Sequence, residues 1–346
     1  MKIQFNKKLG SKITLYMLAM LLMVSVISTL VVSVIIQRQN HALIQEAMAN
    51  SADTLRHTLI EKQNALSQTT QQMISTSRVG ENLVFLESVA DFQSAGIKQD
   101  AYNELIESVL RNAASGSAWQ TAIYDGQKNL VVFAVQENSG GYRIGYQEAG
   151  KVHHTLIRSG GKIAEIVLKE DADSINTWLA GSYAGAIPTH ERVGFEIIAE
   201  RLCLKVEIPV VAETFNVTAG KMEPKLVGIA VTVMHLGPDF ATWINKLTGI
   251  RVAIFSRGTF SAGDMTAYTS IETAGLRQST GNNWQLESAR ALFSSITIEK
   301  QGYFQNVLPI YAGADYIGAV ALLQSDAAAK ANNRQMIFIL CGVGAA

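Results

Sequence analysis

The stretch from Ile13 to Ile36 constrains the chain more than any other feature, because its 24 residues contain no charge. As an α-helix it would be about 36 Å long, enough to cross a hydrocarbon core of about 30 Å. We therefore predict a transmembrane helix over residues 13–36. A cleaved signal peptide is the alternative, but its apolar core is usually only about 7–15 residues long, and no small-residue cleavage pattern follows this stretch.

Four lysines precede the apolar stretch, and no acidic residue stands among them: Lys2, Lys7, Lys8 and Lys12. Basic residues beside a span stay on the cytoplasmic side of the membrane. We therefore expect residues 1–12 to be a cytoplasmic N-terminus at the inner (plasma) membrane, with residues 37–335 on the periplasmic or extracellular side.

The end of the chain carries a shorter apolar run, the eleven residues 336–346. Eleven residues rise only about 16 Å in a helix, whereas a span takes about twenty. Ser325 and Asp326 are good first residues for a helix. Residues 326–346 are therefore predicted to form a helix that enters a truncated second transmembrane helix, the alternative being a C-terminal helix packed on the domain.

Charge and cysteine content narrow the classes of partner. The chain has 29 basic and 29 acidic residues, so composition gives no electrostatic case for binding nucleic acid. Its two cysteines, Cys203 and Cys341, lie in separate apolar runs, and no disulfide is expected between them.

Residues 37–77 are predicted to form a stalk helix that continues from the membrane. Their apolar residues recur at a near-heptad spacing of 4, 4, 3, 4, 7 and 7: Ile44, Met48, Ala52, Leu55, Leu59, Leu66 and Met73. Such a stripe packs on its own domain, against a second copy of the chain, or on both at different heights of the helix. We expect a homodimer through this helix.

Beyond the stalk the sequence predicts two helices and then strands. The helices are expected at Glu81–Phe92 and Gln99–Asn112, and a hairpin is expected around Asp125-Gly126, between strands Trp119–Tyr124 and Leu130–Val135. Further strands are predicted at Tyr142–Gln147, Val152–Ile157, Ile163–Leu168, Phe195–Ala199 and Leu202–Val211, with a short helix at Asp173–Leu179.

An internal repeat organises the rest of the chain. Residues 206–233 and 307–323 both read as a strand containing proline, a turn, and a strand containing glycine; the matched residues are Pro209 and Gly228, and Pro309 and Gly318. The matched glycines predict a bulge or the close approach of another element. Two such hairpins predict two similar α+β modules with antiparallel sheets.

A helix is predicted between the two modules, at residues 236–249. Pro238 suits its first turn and Gly249 a left-handed C-terminal cap, while one face carries Phe240, Trp243, Ile244 and Leu247. The first module then covers residues 78–235 and the second residues 250–325, starting with strand Arg251–Ser256 and a turn at Arg257-Gly258.

An N-terminal span, a stalk helix, two modules ending in strand-proline-turn-glycine-strand hairpins and a second span resemble the double Cache (PAS-like) sensor domain. That family forms the extracytoplasmic part of bacterial chemoreceptors, sensor histidine kinases and diguanylate cyclases. The resemblance implies a membrane-distal first module that binds a small molecule and a membrane-proximal second module that relays the signal. The family's amino-acid-binding signature is absent here, so an amino-acid ligand is not implied.

Four candidate ligand-binding residues lie near the glycine-containing loop at residues 182–188 of the first module: Trp178, Tyr183, His190 and Arg192. A fifth candidate, Tyr124, ends a predicted core strand. Arg192 is suited to pair with a carboxylate while the aromatic rings form pocket walls. The alternative is that the aromatic residues pack in a core and Arg192 is solvated.

Known motifs for metal, phosphate and catalysis are missing from the sequence. His153 and His154 are adjacent, so on a strand they point to opposite faces, and no metal-binding spacing or nucleophile elbow occurs. We expect no cofactor and no enzymatic activity in these residues, although the resemblance allows a kinase or cyclase output domain after residue 346.

The predicted function is that of the extracytoplasmic ligand-sensing part of a transmembrane signalling receptor. The alternative from another class is a membrane-anchored exterior binding or assembly protein without signalling output. An anchored exterior hydrolase has the least support, because no catalytic motif was found.

Overall fold

The computed structural model describes residues 7–90, 95–116, 118–137, 140–158, 169–170, 179, 181–216, 220–273 and 285–327. The helices among them are α1 (Lys7–Thr76), α2 (Val79–Ser88), α3 (Ala95–Gly116) and α4 (Pro238–Thr248). The strands of the first sheet are β1 (Gln120–Asp125), β2 (Leu130–Gln136), β3 (Gly141–Glu148), β4 (Lys151–Arg158), β5 (Lys169–Glu170), β6 (Arg192–Ile198), β7 (Arg201–Asn216) and β8 (Lys221–His235). Those of the second sheet are β9 (Arg251–Ser256), β10 (Thr259–Gly263), β11 (Leu292–Ile298), β12 (Gln301–Ala312) and β13 (Asp315–Ser325). The predicted α+β class is confirmed.

Helix α1 joins the predicted transmembrane and stalk segments without a break. Its most apolar window has a mean hydropathy of 2.7, and none of that window is buried. Leu15, Leu21 and Ile27, for example, are more than half exposed. Apolar side chains that no part of the described chain covers are what a lipid-facing helix requires.

Contacts divide the chain into two compact units. One comprises residues 1–53, 291–307 and 321–346, and the other comprises residues 54–290 and 308–320. Strands β12 and β13 pass from one unit to the other.

The two sheets share one strand order. The first runs β5-β4-β3-β2-β1-β8-β7-β6 and the second β10-β9-β13-β12-β11. If β3, β4 and β5 are set aside, the order of the first sheet is β2-β1-β8-β7-β6. When the remaining strands of each sheet are numbered from one along the chain, both sheets have the order 2-1-5-4-3. The repeat predicted from the sequence is therefore a repeat of topology, and the first sheet carries three extra strands at its β2 edge.

The matched glycines occupy equivalent places in the two sheets. A Cβ atom on Gly228 would overlap the carbonyl oxygen of Tyr124 in β1, and one on Gly318 would overlap the carbonyl oxygen of Phe255 in β9. The register of β7 and β8 also shifts beside Gly228, between Val210 and Val211. Close approach, one predicted reason for glycine, is thus present at both positions, and a bulge, the other, is present beside Gly228.

The first sheet is buried on both faces. One face packs against the helices through residues such as Leu83, Leu105 and Val109. The opposite face holds a second apolar cluster that includes Tyr124, Phe133, Leu179 and Tyr183.

The heptad stripe of the stalk packs within the chain itself. Met48, Leu55 and Leu59 are fully buried, and Ala52, Leu66 and Met73 are at most 6 % exposed. Of the two partners that the sequence left open for this stripe, the structure therefore uses the chain's own domain.

Several predicted boundaries were wrong. Helix α2 ends at Ser88, before the predicted Phe92, and α3 begins at Ala95, before the predicted Gln99. Strands β7 and β8 run to Asn216 and from Lys221, since cross-strand pairs continue through the segment that was read as a polar turn region.

Helix α4 buries only part of its predicted face. Gly249 has a φ of 70° and caps the helix as predicted, and Phe240 and Ile244 are buried. Trp243 and Leu247 are instead 40 % and 53 % exposed, and the ammonium of Lys62 lies 5.1 Å from the centre of the Trp243 ring.

Other predictions fall on residues outside those described: strand Ile163–Leu168, nearly all of helix Asp173–Leu179, and the segment 328–346. The predicted start of the last helix is described: Ser325 Oγ accepts a hydrogen bond of 3.2 Å from the Ala327 N–H. That is the contact of an N-terminal helix cap.

Candidate functional site

An ion-pair cluster forms where β6 lies beside β7. Arg192 and Glu207 are directly opposite in the register. Glu207 is only 2 % exposed, and its carboxylate accepts hydrogen bonds from Arg192 Nε and, at 2.9 Å, from the Tyr183 hydroxyl. A buried carboxylate with several donors is a pre-organised anion in a polar niche.

Lys205 completes the cluster. Its Nζ lies 2.8 Å from Glu207 Oε1 and 2.8 Å from Glu196 Oε2. The same ammonium is 5.8 Å from the centre of the Tyr183 ring. Two cations and two carboxylates therefore balance one another beside a tyrosine.

The pKa shifts follow from this geometry. Burial acts to raise the pKa of Glu207, but hydrogen bonds from Arg192 and Lys205 and the charge of Lys205 outweigh it, so the pKa is lowered. Burial likewise acts to lower the pKa of Lys205, yet Glu196 and Glu207 raise it. Burial and the Glu207 carboxylate both raise the pKa of Tyr183, which therefore stays a hydrogen-bond donor at neutral pH.

A tight turn sets the register that brings Arg192 and Glu207 together. Ala199 and Glu200, between β6 and β7, have φ angles of 48° and 63°. Two successive positive φ values belong to the type I′ hairpin turn, which is usually built from asparagine and glycine. Glu299 and Lys300 make the equivalent turn between β11 and β12, with φ angles of 47° and 66°.

Backbone hydrogen bonds hold Tyr183 over the sheet. The Leu130 N–H donates to the Gly181 carbonyl at 3.0 Å, and the Tyr183 N–H donates to the Lys128 carbonyl at 2.8 Å. The ring of Tyr183 then lies 5.8 Å from the ring of Tyr124, centre to centre. Burial raises the pKa of Tyr124, so it too is protonated.

The cluster borders a cavity of about 750 Å³ within the unit formed by residues 54–290 and 308–320. Cavities of this size accommodate small organic ligands. It is lined by Gln63 and Asn64 of α1, Ala184, Arg192–Glu196 of β6, Lys205 and Glu207 of β7, Gln285–Glu287, and Tyr311–Gly313.

The structure brings three of the five predicted ligand residues together: Tyr124, Tyr183 and Arg192. Trp178 lies outside the described residues. His190 is exposed, and its Nδ1 is 3.0 Å from Thr189 Oγ1.

Sequence reasoning missed the residues that pair with Arg192 and Tyr183. Glu207 stands in the apolar run VEIPVV and Lys205 just before it. A charged residue in such a run is the signal that was available, because a charge is rarely buried without a partner. Among the described residues, no group of three or more His, Cys, Asp or Glu side chains is arranged to hold a metal ion.

No protein-family model matches the chain, and no curated protein matches its sequence. Solved structures similar to it include methyl-accepting chemotaxis protein X, at 9 % identity and a TM-score of 0.42 over 83 % of this chain and 99 % of that one. The sensor domain of the V. cholerae histidine kinase DctB has 11 % identity and a TM-score of 0.41, over 83 % and 98 %.

The ligand-binding domain of Mlp24 with asparagine has 10 % identity and a TM-score of 0.38, covering 86 % of this chain and 99 % of that one. The first two structures are named as a chemotaxis protein and a histidine kinase sensor domain, and the third as a ligand-binding domain. Likeness at this level transfers no residue's role from one protein to another.

Proposed function

We propose that the chain is the exterior sensing part of a membrane-anchored receptor, which binds a small molecule and reports it across the membrane. The single observation that carries this proposal is the continuity of α1. One helix runs from an exposed, charge-free segment to residues that contact each module: Asn306 donates a hydrogen bond to the Met48 carbonyl oxygen, and Met73 is part of the apolar core of the first module.

The contacts of α1 support a relay. The ring of His41 lies 5.7 Å and 5.3 Å from the rings of Phe293 and Phe304 in the second module. Farther along the helix, the hydroxyl of Thr70 donates to the hydroxyl of Thr232 in the first module at 2.8 Å. Because His41 is near the apolar segment and Thr70 is not, the second module is the membrane-proximal one in this proposal.

The ligand is proposed to bind the first module near Tyr124, Trp178, Tyr183, His190 and Arg192. Two contacts support that location: Arg192 lines the cavity, and it donates a hydrogen bond to the hydroxyl of Tyr183, whose ring lies beside that of Tyr124. A ligand shifts the receptor between two states only by its difference in affinity for them. The shift is proposed to travel along α1 as a displacement of about 1–2 Å, the size seen for helices in other switches.

Membrane topology is part of the proposal. The basic N-terminal residues favour a cytoplasmic location for residues 1–12, which leaves residues 37–335 outside the inner membrane. No catalytic role is proposed for this chain. A signalling output, whether kinase, cyclase or chemotaxis module, would belong to a cytoplasmic part of the receptor.

A homodimer is proposed through the stalk, by a different face from the heptad stripe. Exposed residues on α1 recur at spacings of 4, 3, 4 and 3: Leu43, Ala47, Asn50, Thr54 and His57. This spacing keeps one face toward a partner helix, and its polar character favours a weak, movable contact.

Ligand-dependent thermal unfolding of the full chain in lipid nanodiscs tests the sensing proposal. We expect one class in a panel of organic acids, amines and amino acids to raise the unfolding temperature of the wild type. Arg192→Gln should weaken that response, whereas Arg78→Gln, which removes an exposed arginine paired with Glu81, should leave it intact. If no compound acts, the anchored assembly protein becomes the better interpretation.

A further inference from the structure

The cavity runs along the free edge of the first sheet. Strand β6 is the last strand in the order and pairs with β7 alone among the described strands. Five consecutive β6 residues, Arg192–Glu196, line the cavity. A cavity over one face of a strand would be lined by alternate residues, because successive side chains point to opposite faces. Lining by all five residues indicates that the cavity reaches the edge of β6, while Lys205 and Glu207 show that it also extends over one face of β6 and β7.

An edge strand presents a row of backbone N–H and C=O groups that can pair with another extended chain. Here that edge is inside a space of about 750 Å³ whose other walls come from α1 and from Gln285–Glu287 and Tyr311–Gly313. A short extended peptide fits such a site, because its own backbone supplies the complementary groups.

Charge indicates which peptide the site favours. Arg192 and Lys205 are paired with Glu207 and Glu196 inside the cluster. Glu287 also lines the cavity, and its carboxylate forms no ion pair within the part of the chain that the structure describes. The guanidinium of Arg56 donates instead to the main-chain carbonyl oxygen of Glu287, at 2.9 Å. The lining therefore has one carboxylate more than its cations balance, which favours a ligand with basic side chains.

We propose that this cavity binds a short, basic, extended peptide, which adds as a strand beside β6. The inference rests on the proposed sensing function and gives its ligand a chemical class. It also gives the ligand direct access to α1, since Gln63 and Asn64 form part of the same wall.

Gly194 offers a way to fill the site without disturbing the fold. A Cβ atom there would meet no atom within 4 Å, and its φ lies outside the left-handed region. Gly194→Tyr should therefore leave the sheet intact and occupy the cavity. Gly96, exposed on α3, has equally open space, so Gly96→Tyr is the matched control.

The test measures the affinity of the full chain in nanodiscs for a blocked tetrapeptide of alternating valine and lysine. We expect wild type and Gly96→Tyr to bind it, and Gly194→Tyr, with its unfolding temperature preserved, to lose at least about tenfold in affinity. Methylation of alternate peptide nitrogens, which prevents strand pairing, should also cost about tenfold or more with the wild type. Glutamates in place of the lysines should weaken binding similarly.

Equal affinity for the methylated peptide, or unchanged binding by a folded Gly194→Tyr, would overturn the inference. The comparison of the methylated and unmethylated peptides uses the wild type, so it tests the inference even if Gly194→Tyr fails to fold. If the wild type ignores every peptide but responds to a single small molecule, the peptide site is wrong and the sensing function stands. If it responds to neither, the sensing function fails as well.

Discussion

Replacement of Gly228 by alanine tests a close backbone approach in the first sheet. The new Cβ would overlap the Tyr124 carbonyl oxygen and lie 2.8 Å from Leu83 Cδ1. Tyr124 pairs with Ile229 and Asp125 with Gly228, so relieving the overlap pushes β1 away from β8 at the end of their ladder. Leu83 on α2 blocks the other direction of relief.

The magnitude follows from two contributions. Overpacking of a tight site costs about 1–3 kcal/mol. Weakening one ladder hydrogen bond adds about 1 kcal/mol. Gly228→Ala should therefore lower the free energy of unfolding by about 2–4 kcal/mol, which corresponds to a fall of about 4–16 °C in the unfolding temperature for a domain of this size.

The same substitution at Gly194 should act in the opposite direction. Its Cβ would meet nothing, and alanine restricts the unfolded chain more than glycine, so Gly194→Ala should stabilise by about 0.5–1 kcal/mol. Unfolding of the full chain in nanodiscs, followed by circular dichroism, measures both variants. A Gly228→Ala protein as stable as the wild type would refute the reasoning from close approach.

Other predictions concern charge. Burial, with a smaller effect from Arg201, lowers the pKa of His235 from 6.5 to about 4. As the pH falls, this histidine is therefore protonated in the unfolded chain before it is protonated in the folded chain. The free energy of unfolding should fall by at most about 3 kcal/mol between pH 6.5 and pH 4. Urea titrations of His235→Gln should lack this fall. Glu207→Gln should lower the free energy of unfolding at pH 7 by about 1–3 kcal/mol in the same titrations, because its hydrogen bonds to Arg192 and Lys205 lose their charge assistance. Ile27→Arg should make membrane insertion of the helix less favourable by about 3–4 kcal/mol, so that less of the chain stays in membranes washed with carbonate. Full retention in those membranes would contradict a span at this segment.

Predictions from the sequence were correct where neighbouring residues determine the local structure. Helix α4 begins at Pro238 and ends at its left-handed glycine, and β9 has the predicted bounds of Arg251–Ser256. The matched glycines could be identified in the sequence because a close approach of two backbones requires glycine at a single position. Capping, turn chemistry and periodicity act over a few residues, so the sequence by itself determined these features and the hairpin that is repeated in the two sheets.

Only the tertiary structure determined which residues the polar and apolar side chains contact. The stalk stripe could meet its own domain or a second copy, and only the folded chain shows it buried within one molecule. The pairing of Arg192 with Glu207 depends on a type I′ turn at Ala199 and Glu200, residues that carry none of the usual signals for that turn. A shift of one residue in that register would send every side chain of β6 to the other face, and the candidate site exists only because the whole sheet fixes the register.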